Sequence, residues 1–225
     1  METYLTSKYP QIKICGLTNT DEAVKTATAG ADAIGLIFFK KSPRYVKPEK
    51  AKTICAALPD DITTVGVFVN EPFNSIMDIV STSNLNAVQL HGNEPPKFVR
   101  QLTDQGLTVI KGLYMETQPA IAQVSTYDAT AYLVECTRGE LPGGNAITWN
   151  WEDAAAFGEN HPMVLAGGLS PENVASAINK SMPDAVDVSS GVERSPGKKD
   201  IHKVMQFIKA VRECAPTREL RRIFS

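Results

Sequence analysis

The chain has no cysteine pair at CxxC spacing, no GxGxxG fingerprint, no long apolar run and no basic excess. Each absence removes a class of protein. Cys15, Cys55, Cys136 and Cys214 are too scattered for a disulfide framework or a zinc knuckle, so they read as free thiols of a reducing compartment. With only three histidines, and none at ligand spacing to another, no metal site is expected. A net charge of −2 argues against a nucleic-acid surface but leaves room for one local phosphate pocket. No stretch approaches the roughly 18–20 apolar residues of a membrane helix, and Met1 to Pro10 lack a signal-peptide pattern. The expectation is a cytoplasmic protein with no membrane partner.

What is present is alternation. Short apolar runs rich in β-branched residues occur at Ile12–Cys15, Ala33–Phe39, Thr64–Val69, Ala87–Leu90, Thr108–Leu113, Ala131–Cys136, Met163–Ala166 and Ala185–Ser189. Their near-continuous hydrophobicity fits parallel strands buried on both faces. Amphipathic stretches lie between them, with start signals at Asn19-Thr20-Asp21-Glu22, Ser170-Pro171-Glu172-Asn173 and Pro196-Gly197-Lys198-Lys199-Asp200. Eight strands and eight helices at roughly 28 residues per unit predict an α/β fold, a single-domain (β/α)8 TIM barrel over residues 1–225. An open doubly wound sheet is the rival, disfavoured because no glycine fingerprint follows the first strand. Residues 1–10 read as a short extension. Residues 215–225, with Arg218, Arg221 and Arg222, read as a polar, solvated tail.

In such a barrel the C-terminal strand ends share one mouth, which gathers residues far apart in sequence. Gly167-Gly168 and Ser189-Ser190-Gly191 end consecutive units in small-residue turns, an arrangement suited to a phosphate. Cys15 leaves the first strand into a glycine turn and is expected to be accessible, with a thiolate able to take a proton. Glu135 ends an otherwise apolar strand, where a partly buried carboxyl suits a general acid. Arg44 offers a fork for a carboxylate or phosphate. Gln89 and His91 share a strand face by period-two spacing.

These residues sit in a wider pattern: Lys13-Ile14-Cys15-Gly16-Leu17-Thr18, Gly30-Ala31-Asp32-Ala33-Ile34-Gly35, Ser42-Pro43-Arg44-Tyr45-Val46, Val65-Gly66-Val67-Phe68-Val69-Asn70, Val88-Gln89-Leu90-His91-Gly92, Gly167-Gly168-Leu169 and Val186-Asp187-Val188-Ser189-Ser190-Gly191-Val192-Glu193. In order and spacing the pattern resembles phosphoribosylanthranilate isomerase from about Ile12 to Ile208. The resemblance implies an Amadori rearrangement of tryptophan biosynthesis acting on a small phosphosugar, by acid and base groups without a cofactor, in a monomer or homodimer. It implies that Cys15 is the base, that Arg44 holds the anthranilate carboxylate, and that Asp187 contacts the sugar beside Gln89 and His91. Gly167, Gly168, Ser189, Ser190 and Gly191 would line the phosphate site.

The sixth strand departs from the family pattern, which has an aspartate as general acid. Here the residues are Leu133-Val134-Glu135-Cys136-Thr137. Counting back without gaps from Trp151 puts Cys136 at that position, whereas the chemistry favours Glu135. The loop Gly143-Gly144-Asn145-Ala146-Ile147-Thr148 also lacks the basic residue often found there. Among rival barrels, indole-glycerol-phosphate synthase would show catalytic lysines at strand ends. Lys111 is the lysine read within a strand near its C-terminal end. A ribulose-phosphate epimerase would need paired histidines and aspartates. A catalytically silent phosphate-binding barrel would keep the glycine turns without needing Cys15 or Glu135.

Overall fold

The computed structural model describes residues 6–137 and 148–224. Eight parallel strands close into a barrel: β1 (Gln11–Cys15), β2 (Ala33–Ile37), β3 (Thr63–Phe68), β4 (Ala87–Leu90), β5 (Thr108–Tyr114), β6 (Ala131–Glu135), β7 (Met163–Leu165) and β8 (Ala185–Val188). Closure comes from β1 beside β8, with Gln11 opposite Ala185 and Lys13 opposite Asp187. Both strand faces are buried, which is why the sequence shows continuous apolar runs rather than alternation. Ala33, Val65, Ala87, Ala131, Val164 and Ala185 form an inner core of mostly small side chains. The outward side chains, including Ile12, Ile34, Val88 and Val186, pack under the helices in a second, larger core.

Helices α1 (Thr20–Thr28), α2 (Pro48–Cys55), α3 (Phe73–Ser83), α4 (Pro96–Thr103), α5 (Ala155–Asn160), α6 (Val174–Ser181) and α7 (Ile201–Arg212) surround the barrel. Two of the three start signals cap as read, whereas α6 begins only at Val174 and its N-cap Asn173 makes no side-chain cap hydrogen bond. The Asn19 side chain accepts from the Glu22 amide, and Asp200 accepts from the amides of His202 and Lys203. Expecting eight α-helices was wrong for the fifth connection. A 3-10 helix, Ile121–Thr126, crosses from β5 to β6 instead. Only 16 residues separate those strands, and Pro119 removes an amide ahead of a segment carrying Ile121, Val124 and Thr126.

The tail is the larger correction. Its residues Leu220–Arg221 pair antiparallel with Thr6–Ser7, and Leu220, Ile223 and Phe224 are buried. Ile223 and Phe224 join the inner core and close the N-terminal end of the barrel. The Gln11 side chain secures them, its Oε1 accepting from both their amides and its Nε2 donating to the Phe224 carbonyl at 2.6 Å. The arginines also have a fixed partner. Arg218 and Arg221 pair at 3.0 and 3.1 Å with Asp184, a fully buried carboxylate. A basic tail with three interspersed large apolar residues is therefore a plug, because burying that apolar surface outweighs the entropy of ordering the segment.

Candidate active site

At the other end of the barrel the strand termini surround an open cavity. Its floor continues the parity of the inner core. Cys15, Ile37, Val67, Gln89, Glu135, Ala166 and Asp187 each lie two or more even steps along their strands from an inward-facing residue. Every residue expected at the site lines this cavity except Gly191. That glycine packs on the Leu169 carbonyl, too close for a side chain, and shapes the loop from behind. Cys136 also lies outside the lining; its carbonyl accepts from the Glu116 amide at 2.9 Å.

Cys15 faces the cavity but is only 5% exposed, so the expectation of an accessible thiol fails. Gly35 on the neighbouring strand makes room for it, since a Cβ there would come within 2.7 Å of its Sγ. Burial pushes the thiol above its ordinary value. The Lys13 ammonium opposes that shift, the Asp187 carboxylate adds to it, and Lys199 works against it. Lys13 is wholly buried two residues earlier and donates to Asp187 at 2.9 Å. Burial alone would lower the Lys13 ammonium, but Asp187 and then Cys15 hold it above the ordinary lysine value. The thiol therefore lies beside a buried ion pair whose ammonium favours its thiolate and whose carboxylate opposes it.

A second buried network braces Arg44. Its Nε and Nη2 donate to the two oxygens of Glu193 at 2.9 and 2.7 Å. Glu193 also accepts from Lys199 at 2.9 Å and from the Gly197 amide. Burial would raise the Glu193 carboxyl, but Arg44 and Lys199 hold it below its usual range. Lys199 in turn donates to the Ser189 carbonyl at 3.0 Å, linking the arginine to the small-residue turn. Two of Arg44's five donors are thus committed within the protein, and the side chain borders the cavity.

On the opposite flank, Lys111 donates to Glu94 at 2.8 Å and to the Gly92 carbonyl. It is fully buried and holds the loop after β4, so it does not act as a mouth lysine. The Gly167-Gly168 turn has positive φ at both residues. Trp149 and Trp151 pin it by donating to the Ala166 and Gly167 carbonyls. Glu135 is 8% exposed, and its Oε2 lies 3.5 Å from His91 Nε2. The glycine-containing loop expected near it, apart from Thr148, falls outside the described residues.

Sequence reasoning missed Lys13, Lys199, Glu193 and Glu94. The Lys13 and Asp187 partners lie 174 residues apart, so no local spacing links them. A usable signal did exist for Lys13: a lysine inside an apolar strand must find a counter-charge. Among the described residues, no helix is long and apolar enough to cross a membrane.

The family model for N-(5'phosphoribosyl)anthranilate (PRA) isomerase matches residues 12–210. The chain is 46% identical over 215 residues to N-(5'-phosphoribosyl)anthranilate isomerase of Desulfatibacillum aliphaticivorans, covering 96% of this chain and 99% of that one. Among solved structures it is similar to phosphoribosyl anthranilate isomerase of Thermotoga maritima, with TM-score 0.84 and 41% identity over 90% of this chain and 98% of the other. A further similar structure is a phosphoribosyl anthranilate isomerase in complex with reduced 1-(o-carboxyphenylamino)-1-deoxyribulose 5-phosphate. It has TM-score 0.81 and 39% identity, with 90% and 98% of the two chains covered.

Proposed function

The chain belongs to the N-(5'-phosphoribosyl)anthranilate isomerase family, and from that premise we propose how its barrel mouth performs the isomerisation. The reaction is the Amadori rearrangement of N-(5'-phosphoribosyl)anthranilate to 1-(2-carboxyphenylamino)-1-deoxyribulose 5-phosphate in tryptophan biosynthesis. Substrate and product are isomers, so protons move but nothing is gained or lost overall. Acid and base groups suffice, and no cofactor need enter the balance.

Glu135 is the general acid and Cys15 the general base. The carboxyl proton of Glu135 passes to the ring oxygen as the C1–O bond breaks, and the amine lone pair forms the imine. The Cys15 thiolate then takes the C2 proton, giving an enol that becomes the ketone. A thiolate in a buried site is a strong base because little solvent stabilises its charge. The Lys13 ammonium supplies the opposite charge against which that thiolate forms. The observation that carries this reading is the single cavity lined by both Cys15 and Glu135 together with Gly167, Gly168, Ser189 and Ser190. Cys136, the alternative acid, lines no part of it.

The remaining groups hold the substrate. Arg44, fixed by Glu193, receives the anthranilate carboxylate with its remaining donors. The two small-residue turns receive the phosphate, and Asp187 meets a sugar hydroxyl. Anchoring both ends fixes the ribose between acid and base, the entropic part of catalysis. Loss of substrate fluorescence tests the assignment in the wild type and in Cys15→Ala, Glu135→Gln and Cys136→Ala. The reading requires turnover in the wild type and Cys136→Ala, and losses on the order of 10²–10⁴-fold in the other two. A dead Cys136→Ala beside an active Glu135→Gln would reverse the acid assignment.

A further inference from the structure

Two buried polar atoms that border the cavity have no hydrogen-bond partner among the described residues: Gln89 Oε1 and His91 Nε2. Both side chains are nearly inaccessible, at 2% and 4% exposure. Native interiors rarely leave such atoms unsatisfied, and each one calls for an explanation in strain, a bound water or ion, or a catalytic role. Gln89 Nε2 lies 3.3 Å from His91 Nδ1. In this orientation of the carboxamide its nitrogen donates and the facing ring nitrogen accepts, which assigns the ring proton to Nε2. The proton on Nε2 then points toward Glu135, whose Oε2 is 3.5 Å away.

The ring has little freedom to turn. Tyr114 packs against it edge-on, with centroids 6.0 Å apart, and the Tyr114 hydroxyl donates to the His91 carbonyl at 3.4 Å. Gly112 lies beneath it, where a Cβ would come within 3.1 Å of Nδ1. A small shift of Glu135 completes the contact, as catalytic hydrogen bonds commonly tighten when substrate binds.

We infer that Gln89 and His91 are positioning residues for Glu135: Gln89 fixes the Nε2–H tautomer, and His91 holds Oε2 so that Oε1 carries the proton to the ring oxygen. The inference rests on the reading of Glu135 as the acid. Before transfer, the neutral carboxyl accepts from His91 at Oε2 and donates from Oε1. After transfer, the same N–H stabilises the carboxylate. A glutamate has enough side-chain rotamers to miss its target, and this contact selects one of them.

The test has a spectroscopic arm and a kinetic arm. In the resting wild-type enzyme, ring 15N shifts should show an unprotonated Nδ1 and a protonated Nε2 for His91, and Gln89→Glu should reverse the two. In turnover, His91→Asn removes the donor at the ε position and should lower kcat on the order of tenfold or more, with KM changed less than about twofold. His91→Gln, which restores an N–H near that position, should recover most of the loss. A protonated Nδ1 in the wild type would overturn the inference. So would equal kcat losses in His91→Asn and His91→Gln, or a loss confined to KM, which would make His91 a substrate contact. Failure of the functional reading would show separately, as no turnover by the wild type or normal turnover by Glu135→Gln, because the ring spectrum is read without substrate.

Discussion

The two ends of this barrel bury charge to different purposes. At the N-terminal end, Asp184 accepts from the amides of Met163 and Arg221 and pairs with Arg218 and Arg221. Ile223 and Phe224 fill the space beside them. At the mouth, the pairs Lys13–Asp187 and Arg44–Glu193 are just as buried, yet each sends one member, Asp187 or Arg44, into the lining of an open cavity. Unpartnered buried atoms occur at both ends, Arg218 Nε at one and those of Gln89 and His91 at the other. Only the latter border the cavity. Ion pairs at the bottom hold the chain end in place; those at the mouth hold side chains in orientation. The distinction between stability and catalysis follows the barrel axis.

The sharpest way to break this comparison is to substitute within the mouth and measure both quantities. Cys15→Ser keeps the shape but replaces the thiol with a hydroxyl that is a far poorer base. It should lower kcat/KM by roughly 10³-fold, while Tm moves by no more than about 3 °C. A variant that unfolds instead would make the mouth structural and end the distinction. The reciprocal test is at the bottom. Phe224→Ala should cost about 3 kcal/mol in urea unfolding, from lost burial and a residual cavity, with kcat of the folded enzyme unchanged. If kcat falls as well, the plug and the mouth are coupled through the barrel. Asp184→Asn should cost about 3 kcal/mol or less, since it weakens both arginine pairs while keeping a side chain able to accept hydrogen bonds. Normal turnover is again the expected outcome.

How much of this was legible beforehand also divides along the axis. The strands were readable because burial on both faces forces apolar continuity, and the predicted boundaries at Ala87–Leu90 match the structure. The mouth residues were readable because a barrel fixes which strand ends converge, so Cys15, Gln89, Glu135 and Asp187 could be grouped without knowing any distance. The bottom was misread. Arginine density in residues 215–225 suggested solvation, whereas Leu220, Ile223 and Phe224 decide where the segment goes. The bracing pairs were hidden for a different reason. Arg44 and Glu193 are 149 residues apart, and only closure of the barrel makes them neighbours. The short fifth connection shows the limit of counting units, because a 3-10 helix satisfies the same crossover as an α-helix.

The last prediction concerns Cys15, where the requirements of the two ends meet in one residue. Its thiol is held above the ordinary value, first by burial, so the folded protein keeps this proton at a pH where the unfolded chain has released it. Over that window the unfolded state binds fewer protons, and stability must fall as pH rises. The window opens near the ordinary thiol value of 9.0 and extends upward to the folded value. One proton limits the slope to about 1.4 kcal/mol per pH unit. Activity should run the other way, kcat/KM rising with pH as the thiolate base forms. Urea unfolding of the wild type and Cys15→Ser from neutral pH into this window isolates the contribution of this residue: the wild type should lose more stability than the variant as pH rises. Parallel curves would mean that folding does not raise the thiol pKa, and the base would then owe its strength to substrate binding rather than to the resting barrel.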